Sequence, residues 1–370
     1  MDSLNKMNLI FSNLEIVDSH CHYFNFAYAD HDLRDTPTLS LNQVSKEDLR
    51  NTLAYMNMLN YLKVFLGVQG QEEDILSERK RRMQENYRQY VIDLLRDANI
   101  DTFIIDVGYM PAQVNAKAFE ELVPAKVYYV YRIETVVDEI WERKLTFRQA
   151  EDKFYETLEE AFATPHLVAI KELIGYRTGL NIKQVNRTSL TKDVPNEKQF
   201  RDYFFLCAVE KSLKKGYPIQ VHTGFGESNI DISNNNPLLL KGFLEDPKYR
   251  EARIILLHGS YPYSFEAGYL ANVYPNVYLD LSAMNVFGPP YVFRSGINNV
   301  FQFCPFNKAM HGSDGELIPD THWLGAKVAK KELSLLFSTY VKDGLFNEDY
   351  AVKAAKMILS ETARILYHLS

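Results

Sequence analysis

Cysteine is scarce in these 370 residues. There are three, Cys21, Cys207 and Cys304. So few and so scattered a set cannot build a disulfide framework, and it suggests a reducing compartment. No apolar run approaches the ~18–20 residues of a membrane-spanning helix. Positive charge is not in excess either: 41 Lys and Arg against 48 Asp and Glu leave a net charge of −7. That balance argues against a nucleic-acid or anionic-membrane surface. The stretch MDSLNKMNLIFSNLEIVDSH lacks the apolar core and cleavage site of a secretory leader, so the expected location is cytoplasmic. No internal repeat and no low-complexity tract is present. What is there is ordinary for a soluble globular chain, 46 % hydrophobic and 24 % charged. The length admits two domains, but α/β barrels run larger as one unit. The nine histidines are the informative part, through their positions.

Eight short apolar, β-branched runs recur: Glu15–His22, Thr102–Tyr109, Lys126–Ile133, Val168–Ile174, Pro218–Thr223, Arg253–Gly259, Asn276–Leu281 and Lys308–Asp314. Near-continuous apolar runs are what parallel strands covered on both faces look like. Helix-period segments separate them, among them Glu134–Ala163, Asn196–Lys215, Ser264–Tyr274 and His322–Tyr340, with a last one near Asn347–Leu369. Eight strand–helix alternations predict a (β/α)8 TIM barrel as one domain over residues 1–370. The rival, a doubly wound open sheet, usually carries a Gly-rich phosphate turn after its first strand, and none is found here. The first two strands are unusually far apart. Helical segments near Ser45–Leu66 and Leu76–Ala98 fill the gap, read as an insertion at about 23–78 over the barrel mouth with its last helix serving as the first barrel helix. The run Arg79-Lys80-Arg81-Arg82 reads as a solvated helix face in an acidic chain.

The strongest local signal is Asp18-Ser19-His20-Cys21-His22. Residues two apart on a strand share a face, so Asp18, His20 and His22 are expected to point into the barrel, and Val17, Ser19 and Cys21 toward the helices. Two imidazoles side by side suit a divalent metal, with Asp18 supporting one from behind. His222 ends the fifth strand, His258 the sixth and Asp314 the eighth, each at the carboxyl end where barrel active sites are built. Four buried imidazoles without a metal would each need separate hydrogen-bond partners. Lys171 ends the fourth strand. It reads either as a carbamate bridging two metal ions, as a lysine paired to a carboxylate, or as a point charge for an anionic substrate; alternation leaves open whether Lys171 or Glu172 faces inward. His311 has the opposite parity to Asp314 and reads as structural or as support behind a metal ligand. His31, His166, His322 and His368 read as surface residues, although His322 and Trp323 open a helix that could reach the mouth. Arg177 is placed either to hold a substrate carboxylate through two parallel hydrogen bonds or to tie its loop. Tyr176, Tyr261, Tyr263 and Trp323 are candidate pocket walls.

The pieces VDSHCH, IKELIGYRTGL, VHTGFGE, LLHGSYPY, NVYLDLS and HGSDG occur in that order over residues 14 to about 330. Together they resemble the amidohydrolase superfamily, and more closely its amidohydrolase-related branch of metal-dependent barrel hydrolases. A subgroup similar to this chain forms the amidohydrolase-like portion of fungal and plant proteins that also carry a glutamine-synthetase-like domain, which has no counterpart in these residues. The resemblance implies that His20, His22 and Asp314 hold a first divalent ion, zinc first among the candidates. His222 would complete that site or, with His258, hold a second ion bridged by carbamylated Lys171. In a one-metal version His258 would instead polarise the substrate or hold the attacking water. The family places no acid at the position of Glu172. The activity implied is hydrolysis of a C–N or C–O bond in a small, carboxylate-bearing substrate by metal-activated water, with Asp314 moving the proton and His258 stabilising the oxyanion. Tyr176 and Arg177 would contact substrate. Non-hydrolytic decarboxylation with the same ligand set is the alternative, sugar-acid isomerisation a more distant one, and a non-catalytic metal-binding barrel the reading from another class. By analogy the chain would be a homodimer.

Overall fold

The computed structural model describes residues 3–36, 38–109, 115–192 and 196–370. Eight parallel strands pair in sequence order: β1 (Ile16–Cys21), β2 (Ile100–Asp106), β3 (Lys126–Arg132), β4 (Leu167–Glu172), β5 (Ile219–Val221), β6 (Ile254–Leu256), β7 (Val277–Asp280) and β8 (Ala309–Met310). The last strand returns to the first. The Ser19 N–H donates to His311 O and the Asp314 N–H to His20 O, both at 2.9 Å. The expected TIM barrel is the observed fold.

Two apolar layers hold it. Val17, Ile104, Val130, Ile255, Leu257 and Met310 pack inside, and Ala363, Leu366 and Tyr367 of the C-terminal helix join that interior cluster. A larger cluster lies between the strands and the outer helices. Each fully buried aliphatic side chain contributes roughly 1.5–3 kcal/mol of transfer free energy, so closure of both layers is the main source of stability.

Several expected boundaries shift for local reasons. The segment Glu134–Ala163 is two helices, Glu134–Glu142 and Phe147–Phe162. Lys144 in the left-handed region ends the first, and a reciprocal Thr146–Gln149 capping box starts the second. The segment at 45–66 likewise divides, with Thr52 capping Leu53–Leu66. The long helix Glu72–Ala98 breaks at Asn86 (φ −160°). Strands β5, β6 and β8 are shorter than their apolar runs, because regular pairing ends before His222, His258 and Asp314, although the His222 N–H still donates to Glu172 O and the Asp314 N–H to His20 O.

The basic run is not wholly solvated. Arg79 is buried, and its guanidinium makes two hydrogen bonds to Asp320 at 2.9 and 2.8 Å. The side chains are 5 % and 0 % exposed. Only Lys80, Arg81 and Arg82 form the surface face that the helix period predicts.

His311 is buried, and neither ring nitrogen meets a partner among the described residues. Burial lowers its pKa to about 3. The unfolded chain, with a histidine near ~6.5, takes up a proton that the native state refuses. Stability therefore rises with pH in that window and is lost as pH falls from about 6.5 toward 3, at up to about 1.4 kcal/mol per pH unit for this group. His311→Leu is expected to reduce the slope of unfolding free energy against pH by that amount. Urea unfolding between about pH 6 and 4 measures it, and an unchanged slope would mean that His311 does not set the acid sensitivity.

Candidate active site

At the carboxyl ends of the strands lies a cavity of about 550 Å3. His22, Lys171, His222, His258 and Asp314 line it, and Thr38–Val44 and Leu49, from the segment between β1 and β2, cover part of its wall. The backbone does unusual things here. His258 and Asp314 both adopt left-handed conformations, with φ of 62° and 56°. Such positions cost of order 1–3 kcal/mol for residues other than glycine and cluster at functional sites. After β5 the chain turns at Gly224 (φ 78°), where an added Cβ would lie 2.3 Å from Tyr261 O.

The β1 reading needs one correction. Register against β2 slips between Asp18 and Cys21, a bulge that resets the alternation. Val17 and Ser19 therefore face the interior: Val17 joins the inner cluster, and Ser19 Oγ donates to Asp280 Oδ2 at 2.7 Å. Asp18 is turned away, accepting from the Ser313 N–H and Oγ at 2.7 and 2.6 Å. His20 and His22 still share the inner face.

There His20 Nε2 and His22 Nε2 each lie 3.2 Å from Asp314 Oδ1. His258 Nδ1 faces the other oxygen, Oδ2, at 3.8 Å. Burial, then the Lys171 charge, lowers His20 to about 3. Burial would raise Asp314, but His258 and the hydrogen bonds from His20 and His22 hold it well below the usual carboxylate range. Imidazole plus carboxylate is the donor chemistry that divalent first-row metals prefer. Separations of 3.2 Å match the edge of a tetrahedron around an ion with bonds of ~2.1 Å. The residues fit a divalent ion.

His222 and His258 form a second pair. His222 Nε2 donates to Phe225 O at 3.1 Å, leaving Nδ1 to accept from His258 Nε2 at 3.0 Å. His258 Nδ1 lies 2.9 Å from Ser282 Oγ, which in turn donates to Asp280. Burial lowers both imidazoles, His258 to about 4.

On β4, Lys171 faces inward and Glu172 does not. Lys171 Nζ is 3.0 Å from both His20 Nε2 and Asp106 Oδ2. Glu172 is buried beside Glu134, and burial followed by that neighbouring carboxyl raises its pKa well above normal. Arg177 lies on the cavity wall, its Nη2 and Nε hydrogen-bonded to Asp138 at 2.7 and 3.2 Å. Tyr176 is also on the wall, and its hydroxyl donates to Glu227. Tyr261, Tyr263 and Trp323 are not among the lining residues; the Trp323 indole packs on Tyr61 and Phe65 and donates to Asp97. His322 is buried rather than on the surface, with Nε2 3.0 Å from His22 O.

Sequence reasoning missed Asp106, Arg132, Asp280 and Glu316. Asp106 and Asp280 are acids within apolar strands, a signal that was legible. Arg132 and Glu316 both line the cavity, and burial raises Glu316 to about 7. Thr38–Val44, which line the cavity, fall within the insertion read over the barrel mouth, although no motif singled out those residues.

Comparison with known proteins adds the family. A family model described as amidohydrolase matches residues 147–369. Protein fluG of Emericella nidulans is 32 % identical over 242 residues, which cover 59 % of this chain and 27 % of that protein. The chain thus spans about a quarter of that relative. Among solved structures, a candidate metal-dependent hydrolase from Lactobacillus casei superposes with a TM-score of 0.85 at 24 % identity, over 98 % of this chain and 97 % of that one. Uronate isomerase from Thermotoga maritima superposes with a TM-score of 0.69 at 14 % identity, over 99 % and 97 %. These likenesses show the barrel, while the family model spans more than half of the chain. The chain belongs to the amidohydrolase family.

Proposed function

We propose that this protein is a metal-dependent hydrolase that cleaves a C–N or C–O bond in a small substrate bearing a carboxylate. The observation that carries the reading is the convergence of His20 Nε2 and His22 Nε2 on Asp314 Oδ1 at the floor of the cavity. These three residues would hold a divalent ion, zinc first among candidates. When bound, the ion supplies Lewis acidity and an acidified water. Asp314 divides its labour between its oxygens: Oδ1 faces the two histidines, and Oδ2 is left to accept the proton of the attacking water and return it to the leaving group. His258 would steady developing negative charge by turning its Nε2–H from His222 Nδ1 to the substrate oxygen. Tyr176 and the cavity wall exclude water and orient substrate. Arg177 would hold a substrate carboxylate by exchanging Asp138 for it. A cytoplasmic location belongs to the same reading, supported by three buried, unpaired cysteines; no helix among the described residues is long and apolar enough to cross a membrane. A homodimer belongs to it by analogy alone.

Decarboxylation is the second reading, favoured by one observation, the pairing of Lys171 with Asp106. Metal analysis of the purified protein tests the centre. Wild type is expected to retain a divalent ion through dialysis, and His20→Ala and His22→Ala to lose it with the thermal melt otherwise native. Retention of metal in both variants would remove the ligand assignment. Incorporation of 18O from labelled water into product then identifies hydrolysis, and release of carbon dioxide without it identifies decarboxylation.

A further inference from the structure

Lys330 lies on the helix Pro319–Lys342 and is 3 % exposed. Its Nζ donates to Ser12 O at 3.1 Å and to Ala98 O at 2.6 Å. Ser12 and Ala98 are the last residues of the helices Ser3–Ser12 and Glu72–Ala98, and final carbonyls lack partners within their own helix. A lysine ammonium has three donors, so capping both helices leaves one over. The acids close to this lysine in sequence or space are engaged elsewhere. Asp97 pairs with Lys327 Nζ at 3.0 Å and accepts from the Trp323 indole at 2.7 Å, and Glu332 pairs with Arg294 Nε at 2.5 Å. Burial, then the Lys327 charge, lowers Lys330 to about 7.

Lys330 lines a second, smaller cavity of about 240 Å3, together with Asn8, Ser12, Tyr61, Lys327 and Lys331. The catalytic cavity shares none of these residues. The volume falls below the ~300–1,000 Å3 of sites for drug-sized ligands and suits a compact group. Lys331 Nζ stands 5.6 Å from the centre of the Tyr61 ring. The Tyr61 hydroxyl is buried and meets no partner among the described residues, a state that native proteins rarely leave uncompensated. Asn8 spends its amide oxygen on Ser334 Oγ, so what it can offer a ligand is its NH2. Donors outnumber acceptors around this space, and positive charge exceeds negative.

We propose that this cavity is a binding site for a phosphate group, held by Lys330, Lys331 and the Tyr61 hydroxyl. Two ammonium groups without carboxylate partners match a charge of roughly −1.5 to −2 at pH 7. An apolar occupant would leave Lys330 and the Tyr61 hydroxyl unpaired, and a cation would meet like charge. A bound phosphate would tie Ser3–Ser12 and Leu53–Leu66 to Pro319–Lys342. The group is either free phosphate or the end of a small phosphomonoester.

The test is calorimetric titration of inorganic phosphate, and separately of glycerol 3-phosphate, into the full chain at constant ionic strength. Wild type is expected to bind phosphate. Binding of the ester as well would identify a small phosphomonoester as the ligand, and its exclusion would identify the free ion. Tyr61→Phe and Lys331→Gln should melt as wild type does in chloride, and each should weaken phosphate about tenfold, the loss of one hydrogen bond to a charged group. Lys330→Met should weaken it at least as much; it also gives up two helix caps, so the other two variants carry the test if it fails to fold. Phosphate can also meet the metal centre, which these substitutions do not touch. No binding to wild type, or unchanged phosphate affinity in either Tyr61→Phe or Lys331→Gln, would overturn the proposal.

Discussion

Asp314→Asn is expected to lower turnover by about 10³-fold, the scale of a lost acid–base group, while the protein melts as wild type does. The substitution separates the two tasks of this side chain. Asparagine can keep an oxygen at the Oδ1 position, 3.2 Å from His20 Nε2 and His22 Nε2. At the Oδ2 position, facing His258 Nδ1 at 3.8 Å, it puts an amide nitrogen that cannot accept a proton. Metal content measured alongside turnover resolves them. Reduced turnover with metal retained assigns the loss to proton transfer. Full activity with metal retained would place the proton route elsewhere in the cavity. The variant should also survive folding, because the left-handed conformation at this position (φ 56°) is one that asparagine tolerates well.

Arg79→Met is expected to be the most damaging change for stability away from the cavity, costing about 3–5 kcal/mol because it strands a buried carboxylate. Asp320 would keep the Tyr90 hydroxyl at 2.6 Å but lose both guanidinium contacts. The effect should reach the site. Asp320 and His322 lie on one helix, Pro319–Lys342, and His322 holds the His22 carbonyl. Arg79→Met combined with Asp320→Asn removes the stranded charge and should recover most of the loss, since replacing both partners is often neutral. Urea unfolding of the two variants measures this. A loss below about 1 kcal/mol in the single variant, the scale of an exposed pair, would mean that water reaches Asp320 and that the pair ties nothing together.

Much of this is legible in the sequence. Near-continuous apolar runs separated by amphipathic stretches carry the barrel, because a strand buried on both faces has little choice of composition. The histidines at 20, 22, 222 and 258 and the aspartate at 314 were legible because a polar residue closing an apolar run must have a reason to be there. Asp106 and Asp280 carried the same signal, but each reads equally well as the start of a turn.

The sequence by itself determined the fold class, the order of the strands and the residue types at their carboxyl ends. It left open which way those residues point, and only the tertiary structure decided that. A strand's alternation fixes facing until one residue is inserted, and the bulge at 18–21 turned Asp18 out while keeping both histidines in. The choice of Lys171 over Glu172, the clamp of Asp106 by Arg132, and the burial of Arg79 against a residue 241 positions away are also long-range matters. They depend on register between strands and on which partner a buried charge finds. A sequence read one segment at a time contains the partners but not the pairing.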